Sequence, residues 1–249
     1  MDNLIDKIIL GDCTKILSTI PDKYVDVSFT SPPYNHNDKR VYKYHDDNLT
    51  SDEYTDLLTN VTDELLRVTK RIVIINIAPS PKNRVSLYEY IGRYSKNISE
   101  IIVWYKPNPR PSGYVYKDEC TLSQGYEMFF MITHDGAELV AKNSRFLPNT
   151  LVKNVNTGNQ YNAIHSAVMN PAVCEHFIKH FTSKGDIVLD PFSGLGTTDL
   201  VCKEYNRHYI GIELQQEYYD ISVNRLQGSL RPDMTNVVSD SGIKSLLND

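Results

Sequence analysis

The sequence predicts a doubly wound α/β fold, in which helices cover both faces of a mostly parallel sheet. Three observations carry this expectation. Short β-branched runs alternate with apolar residues at three- and four-residue spacing along most of the chain. One run, Ile72 to Ile77, is almost unbroken in its hydrophobicity, as a strand covered on both faces must be. Two sharp turns, Ser31-Pro32-Pro33-Tyr34 and Ser193-Gly194-Leu195-Gly196, each follow directly on a predicted strand. A chain of 249 residues, 41% hydrophobic and 23% charged, is long enough for one large domain or two small ones with a full core. Its composition excludes a disordered chain, and no apolar run reaches the roughly 18–20 residues that span a bilayer.

The elements follow in order. Tyr24 to Thr30 alternates as a strand does and stops where Pro32 and Pro33 forbid a ladder. Ser51-Asp52-Glu53 opens a helix whose apolar stripe is Leu57, Leu58, Val61, Leu65 and Val68, with acidic residues in the first turn. Ile72 to Ile77 completes a β-α-β unit. Arg84 to Lys96 is helical, and Glu100 to Tyr105 and Tyr126 to Thr133 are strands. From His134 to about Tyr161 the pattern dissolves into Asn, Thr, Gly and Lys, so this stretch is expected to be irregular or weakly stranded. Pro171 starts a helix through about Thr182, since its missing N–H costs nothing in a first turn. Asp186 to Asp190 and His208 to Leu214 are strands, each followed by a helix, Thr197 to about Tyr205 and Gln216 to about Gln227. The polar composition from Gly228 onward predicts a loose tail.

The N-terminal segment MDNLIDKIILGD lacks a basic stretch followed by a long apolar one, so it does not read as a secretory signal. The expectation is an intracellular, cytoplasmic protein with no membrane partner. Cys13, Cys120, Cys174 and Cys202 lie far apart and form no C-x-x-C pair, which speaks for reduced structural thiols rather than disulfides or zinc. The seven histidines show no metal-ligand spacing, and no metal is expected.

Two motifs carry chemistry. In Asp190-Pro191-Phe192-Ser193-Gly194-Leu195-Gly196-Thr197-Thr198, glycines let the backbone approach a ligand, and the helix that follows offers unpaired N–H groups. Glu213 stands nineteen positions beyond Gly194 at the end of the next strand, the usual place for an acceptor of ribose hydroxyls. An ordinary strand–helix turn is the alternative for the glycines alone, and the spacing to Glu213 weighs against it. The loop has neither a third glycine nor G-K-[ST], so a nucleoside with a carboxylate tail fits better than a pyrophosphate. The second motif, Thr30-Ser31-Pro32-Pro33-Tyr34, is a rigid presenter at the carboxyl end of a strand. Ser31 and the Pro32 carbonyl are acceptors, and Tyr34 offers a flat aromatic face. Two acceptors on an exocyclic amine of a nucleobase favour a pyramidal nitrogen with an available lone pair. By itself, S-P-P-Y is more often only a turn.

Together the motifs resemble the amino-methyltransferases of DNA, which join an F-x-G-x-G loop for S-adenosylmethionine to a [DNS]-P-P-[YF] catalytic loop. The catalytic loop comes first here, the permuted order of the β-class, and the resemblance extends over most of the chain. Gly11-Asp12, Trp104 to Pro109, Glu127, Tyr218 and Arg225 stand where members of that class usually carry such residues. The resemblance implies Ser31, Pro32, Pro33 and Tyr34 as the catalytic turn. Asp190, Phe192, Ser193, Gly194 and Gly196 would surround the methionine part of the cofactor, with Thr197 and Thr198 beside its carboxylate, Glu213 at the ribose and Asp12 near the adenine. Members commonly show His-Pro and then Pro-Glu before the cofactor loop; this chain has His165-Ser166 and Asn170-Pro171, and His165 joins the cofactor set on that partial match. The implied reaction is in-line transfer of the sulfonium methyl to an exocyclic nitrogen of a base flipped out of double-stranded DNA. The chain contains no Pro-Cys dipeptide, which counts against methylation at carbon 5 of cytosine.

Within the family, Ser-Pro-Pro-Tyr is commoner among N4-cytosine enzymes and Asp-Pro-Pro-Tyr among N6-adenine enzymes. N4 of cytosine is therefore the expected target, with N6 of adenine the alternative. Further alternatives are an RNA or protein amino-methyltransferase and an inactive DNA-binding subunit. The expected organisation is a catalytic half over 1–133, a target-recognition region over 134–163, a cofactor half over 164–227 and a tail over 228–249. Asn143, Arg145, Lys153, Asn154, Asn156, Asn159 and Gln160 have the donors to read base edges or phosphates, or they belong to a solvated loop. Lys39, Arg40, Tyr42, Lys43 and Tyr44, within 35–50, suit a segment that orders on DNA. Trp104 either stacks on a base or closes the core at a strand end. A cognate restriction endonuclease and a homodimer are partners the resemblance allows. The net charge of −5 is unevenly spread. Leu66 to Lys117 holds ten basic residues against two acidic, Ala141 to Lys184 five against one, and Gly185 to Asp249 five against ten. This segregation predicts a basic face over the catalytic and recognition segments.

Overall fold

The computed structural model describes residues 4–35, 48–107, 124–136, 139, 141, 147–155 and 168–228. Eight strands form one sheet in the order β1-β8-β7-β2-β3-β5-β4-β6. They are β1 (Lys7–Leu10), β2 (Val25–Thr30), β3 (Thr69–Ile77), β4 (Ile98–Tyr105), β5 (Tyr126–Ile132), β6 (Thr150–Val152), β7 (Ile187–Asp190) and β8 (His208–Glu213). The helices are α1 (Cys13–Leu17), α2 (Ser51–Val68), α3 (Arg84–Arg93), α4 (Pro171–Phe181), α5 (Thr197–Glu204) and α6 (Gln216–Gly228). All pairings are parallel except those of β5, which runs antiparallel between β3 and β4. The doubly wound, mostly parallel sheet is the fold the sequence predicts.

Local chemistry sets the helix boundaries. α2 begins at a reciprocal cap: Thr50 Oγ1 accepts from the Glu53 N–H at 3.3 Å, and Glu53 Oε2 accepts from the Thr50 N–H at 2.9 Å. α4 begins with Pro171 in its first turn, behind Asn170, whose Oδ1 accepts from the Ala172 N–H at 2.9 Å. The apolar stripes then pack on opposite faces of the sheet. α1, α2 and α3 cover one face through Leu17, Tyr54, Leu58, Leu65, Leu87 and Tyr90, against Val73, Ile75 and Phe130. α4, α5 and α6 cover the other through Val173, Phe177, Phe181, Val201 and Leu226, against Phe29, Ile74 and Phe129. Each such fully buried side chain contributes about 1.5–3 kcal/mol relative to exposure.

Two short elements, β1 and α1, lie outside the periodicity reading, and β6 is a weak strand of the kind expected between His134 and Tyr161. Four-residue and three-residue strands with exposed ends, Lys7 and Leu10 in β1 and Thr150 and Val152 in β6, have no room to show alternation. β6 falls inside 134–163, so this stretch contributes an edge strand beside β4. Trp104 belongs to the core: it is 4% exposed, and its Nε1 donates to the Lys153 carbonyl at 2.7 Å. Cys13, Cys174 and Cys202 are buried free thiols. No helix among the described residues is long and apolar enough to cross a membrane.

Candidate active site

β2 and β7 lie side by side and parallel, yet the chain leaves them in opposite directions, toward β3 on one side and β8 on the other. Ligands of open α/β sheets bind at such a switch point, beyond the carboxyl ends of the strands. Both motifs emerge there. The Ser31–Tyr34 turn follows β2 and the Pro191–Gly196 loop follows β7. Thr30 Oγ1 bolts them together by donating to Asp190 Oδ1 at 2.7 Å, and the same oxygen accepts from the Phe192 N–H at 3.1 Å. Asp190 is 4% exposed, and burial pushes its carboxyl above the usual range.

The Pro191–Gly196 loop turns on two left-handed glycines, Gly194 (φ 54°) and Gly196 (φ 71°), the latter at the N-terminus of α5. A Cβ on Gly196 would lie 3.0 Å from Ser222 Cβ and 3.3 Å from Ile8 Cδ1, so α6 and β1 close in on the turn from behind. Glu213 ends β8 beside it. Its Oε2 accepts from the Gly194 N–H at 2.9 Å and its Oε1 from the Gln215 N–H at 2.7 Å. Burial first of all, with Asp190 also contributing, drives the Glu213 carboxyl up to about 7. The Glu213 carbonyl accepts from the Gly11 N–H at 2.8 Å, which sets Asp12 next to it at the head of α1. Asp12 caps α1 through the Thr14 N–H at 3.0 Å and keeps its carboxylate partly exposed.

Thr197 and Thr198 are buried with their hydroxyls turned inward. Thr197 Oγ1 accepts from Arg225 Nη1 at 3.4 Å, and Thr198 bonds to Asp190. Arg225 Nη1 also donates to the Leu195 carbonyl, clamping the loop to α6. Beneath the loop sits Asp199, which sequence reasoning missed. It is fully buried, accepts from Ser193 Oγ at 2.5 Å on Oδ2, and has no partner on Oδ1 among the described residues. Burial and then the nearby Asp190 raise its carboxyl to about 8, so it is mostly a neutral acid at pH 7. His165 lies outside the described residues.

The Ser31–Tyr34 turn is held from several sides. Tyr54 OH donates to the Pro33 carbonyl at 2.8 Å, and Asn83 Nδ2 to the Tyr34 carbonyl at 2.9 Å. Asn35, in the left-handed region at φ 56°, pairs its amide with both backbone groups of Leu49, at 2.8 and 2.9 Å. The two ends of the 35–50 stretch are thereby pinned together, while 36–47, with the basic and tyrosine residues noted above, lie outside the described residues. Ser31 Oγ and Tyr34 OH are 2.7 Å apart. Tyr34 OH also faces Asn76 Oδ1 at 2.6 Å and Glu127 Oε2 at 3.1 Å, and Glu127 is ion-paired with Lys106. Asn76 gave no signal in the sequence, because a polar residue inside an apolar strand reads as noise until its neighbours are known. Thr30, Pro32, Leu57, Leu58 and Phe192 are among the walls of a small apolar crevice between the two loops and α2.

The basic face is partly cancelled. Arg67 pairs with Glu64 and Asp22, Lys70 with Asp26, Arg71 with Asp186 and Arg93 with Asp63, acids that all lie outside the 66–117 window. Linear charge windows overstate a surface because they omit partners brought in by the fold. Of the expected recognition residues, Lys153 and Asn154 are described, and their carbonyls accept from Trp104 and Asn170. Asn143, Arg145, Asn156, Asn159 and Gln160 lie outside the described residues.

A family model described as "N6_N4_Mtase: DNA methylase" matches residues 25–224, spanning both loops and the sheet between them. The chain belongs to this DNA methylase family. Among curated relatives, Type II methyltransferase M.Cfr9I of Citrobacter freundii is 39% identical over 145 residues, covering 55% of this chain and 45% of that protein. Type II methyltransferase M.BglII of Bacillus subtilis is 27% identical over 269 residues, covering 93% and 71%. This chain thus spans less than half of the first relative and about seven-tenths of the second. Among solved structures, the PvuII DNA methyltransferase, titled cytosine-N4-specific, superposes with a TM-score of 0.73 at 22% identity, over 97% of this chain and 91% of that one. An M1.HpyAVI–SAM complex superposes at 0.58 with 23% identity, over 88% and 98%. At these identities the structural likeness concerns the fold.

Proposed function

We propose that this DNA methylase transfers a methyl group from S-adenosylmethionine to the exocyclic N4 of cytosine in double-stranded DNA, at a specific sequence. The observation that carries the reading is the Thr30–Asp190 hydrogen bond of 2.7 Å. It fixes a base-presenting turn against a nucleoside-binding loop, so that donor and acceptor of a one-carbon group meet at one point, and such alignment supplies much of the rate. The cradle suits the cofactor: left-handed glycines open the loop, and Glu213 keeps carboxylate lone pairs for ribose hydroxyls. Glu213 and Asp12 would hold the nucleoside, and Asp190 with Phe192 to Gly196 the methionine end. When bound, the cofactor supplies an electrophilic sulfonium methyl. Ser31 and the Pro32 carbonyl would accept from the amine, freeing its lone pair, and Tyr34 would stack on the flipped base. The nitrogen–carbon bond forms as the carbon–sulfur bond breaks, S-adenosylhomocysteine leaves, and the amine releases one proton to solvent.

The neutral Ser31 at the head of the turn favours cytosine, as does the likeness to a structure titled cytosine-N4-specific. The second reading, N6 of adenine, rests on the same geometry, because both amines donate two hydrogens. Target recognition is assigned to 134–163, on its place in the chain between the catalytic and cofactor halves, and to 36–47, which follows the catalytic turn directly. A cognate endonuclease and a homodimer are further proposals by family analogy. The test is to methylate plasmid DNA with the protein and S-adenosylmethionine, hydrolyse it and identify the nucleoside by mass spectrometry. N4-methylcytosine is expected. N6-methyladenine alone overturns the base assignment, and transfer only to RNA or protein, or none, overturns the DNA reading.

A further inference from the structure

The cluster behind the catalytic turn sets two acceptors that carry no hydrogen of their own, Asn76 Oδ1 and Glu127 Oε2, around the hydroxyls of Ser31 and Tyr34. Asn76 is fully buried and its Nδ2 donates to the Met128 carbonyl at 3.2 Å, which aims Oδ1 at the turn. Glu127, 8% exposed, is ion-paired through Oε1 with Lys106, 9% exposed and 5.1 Å from the Trp104 ring centroid. That pairing leaves Oε2 toward Tyr34. Asn76 Oδ1 and Glu127 Oε2 both face the Tyr34 hydroxyl, at 2.6 and 3.1 Å, yet a hydroxyl has one proton to give. Ser31 adds one more, between Tyr34 OH at 2.7 Å and Asn76 Oδ1 at 3.4 Å. An amino group brings two hydrogens to such a place, and a base carbonyl brings only another acceptor.

We propose that the Lys106–Glu127 pair reads the amino group of the flipped base. Glu127 Oε2 accepts an N–H of the base where it faces the Tyr34 hydroxyl in the base-free site, and Lys106 offsets the buried charge. Displacing that hydroxyl releases Tyr34 to stack. The pair thereby selects amino-bearing bases over carbonyl-bearing ones, beyond what Ser31 and the Pro32 carbonyl do. This inference rests on the reading of the chain as an exocyclic-amine methyltransferase.

A purely structural pair makes an opposite prediction, since a buried ion pair replaced as a unit by apolar residues is often tolerated or stabilising. The experiment compares wild type, Glu127→Gln, Glu127→Asp and the double variant Glu127→Leu/Lys106→Met. It measures single-turnover methyl transfer at saturating plasmid DNA, calorimetric affinity for S-adenosylmethionine, and thermal unfolding. Glu127→Gln is expected to slow transfer by about 10- to 100-fold, the worth of one hydrogen bond to a charged group, with cofactor affinity within about twofold of wild type. Glu127→Asp should recover part of the rate. The double variant should fold and bind cofactor yet stay as slow as Glu127→Gln. Wild-type rates in either Glu127→Gln or the double variant overturn the proposal, and if the double variant does not fold, Glu127→Gln decides alone. A wild-type protein that methylates no amine brings down the functional reading itself, which separates the two failures.

Discussion

Lowering the pH should weaken nucleoside binding through Glu213. Its carboxyl titrates at about 7 in the cofactor-free protein because it is buried, and only the ionised form offers ribose hydroxyls a charged acceptor. With that midpoint, about 90% of the protein is binding-competent at pH 8 and about 3% at pH 5.5. Apparent affinity scales with the competent fraction, so it should fall by up to about thirtyfold across this range. The probe is 5′-methylthioadenosine, a nucleoside with no group of its own that titrates in the window, and the assay is isothermal calorimetry at fixed ionic strength. Glu213→Gln should bind more weakly at pH 8 and show no slope. A flat wild-type profile, or the same slope in Glu213→Gln, refutes the reasoning. The sign for stability is opposite. Because the folded carboxyl titrates above its ordinary 4.5, the native state holds the proton more firmly than the unfolded chain does. Its contribution, of order 3 kcal/mol, is complete below about pH 4.5 and lost as the pH rises through 7.

Three further outcomes are expected. Gly211→Ala would bring a Cβ to 2.8 Å from Asp199 Oδ1 and 2.9 Å from both Ser193 Oγ and Ile8 Cγ1; overpacking there should cost about 1–3 kcal/mol, lower the unfolding midpoint and weaken cofactor binding, and unchanged values for both in calorimetry would show that the loop is not packed as described. Asp199→Asn should flatten the pH dependence of the unfolding midpoint between about pH 4 and 8: the wild-type carboxyl, raised from 3.8 to about 8, contributes stability that is complete below about pH 4 and lost as pH rises through 8, and an equal decline in the variant counts against this assignment. Tyr34→Ala should slow methyl transfer by about 100-fold or more while cofactor still binds, whereas Tyr34→Phe, which keeps the ring, should remain within about tenfold of wild type; full activity in Tyr34→Ala in a labelled-methyl filter assay removes the stacking role.

Both loops and the helices α2 to α6 were legible because their signals are local. Prolines stop β2, a reciprocal Thr50–Glu53 cap opens α2, and the glycine turn stands a fixed distance from Glu213. Asn76, Asp199 and the Lys106–Glu127 ion pair were not assigned roles, since each acquires its meaning from a partner remote in sequence: Asn76 from Tyr34, Asp199 from the strand at Gly211, Lys106 from an acid across the β4–β5 ladder. The charge windows misled for the same reason. Arg71 counts toward the basic 66–117 window, but the fold sets Asp186 against it.

The bolt between the two loops also bears on how the protein is made. Thr30 and Asp190 are 160 residues apart, and the strands that carry them are neighbours at the middle of the sheet. A ribosome adding about 5–20 residues per second needs on the order of 8–30 seconds to pass from one to the other. During that interval β2 has its partner β3 on one edge only, and the side that will receive β7 stands open. Neither loop has the other to fasten to until then, so a nascent chain acquires both halves of the proposed methyl-transfer centre together and late. Two fragments cut between β6 and α4 should accordingly be inert when separate and competent on mixing.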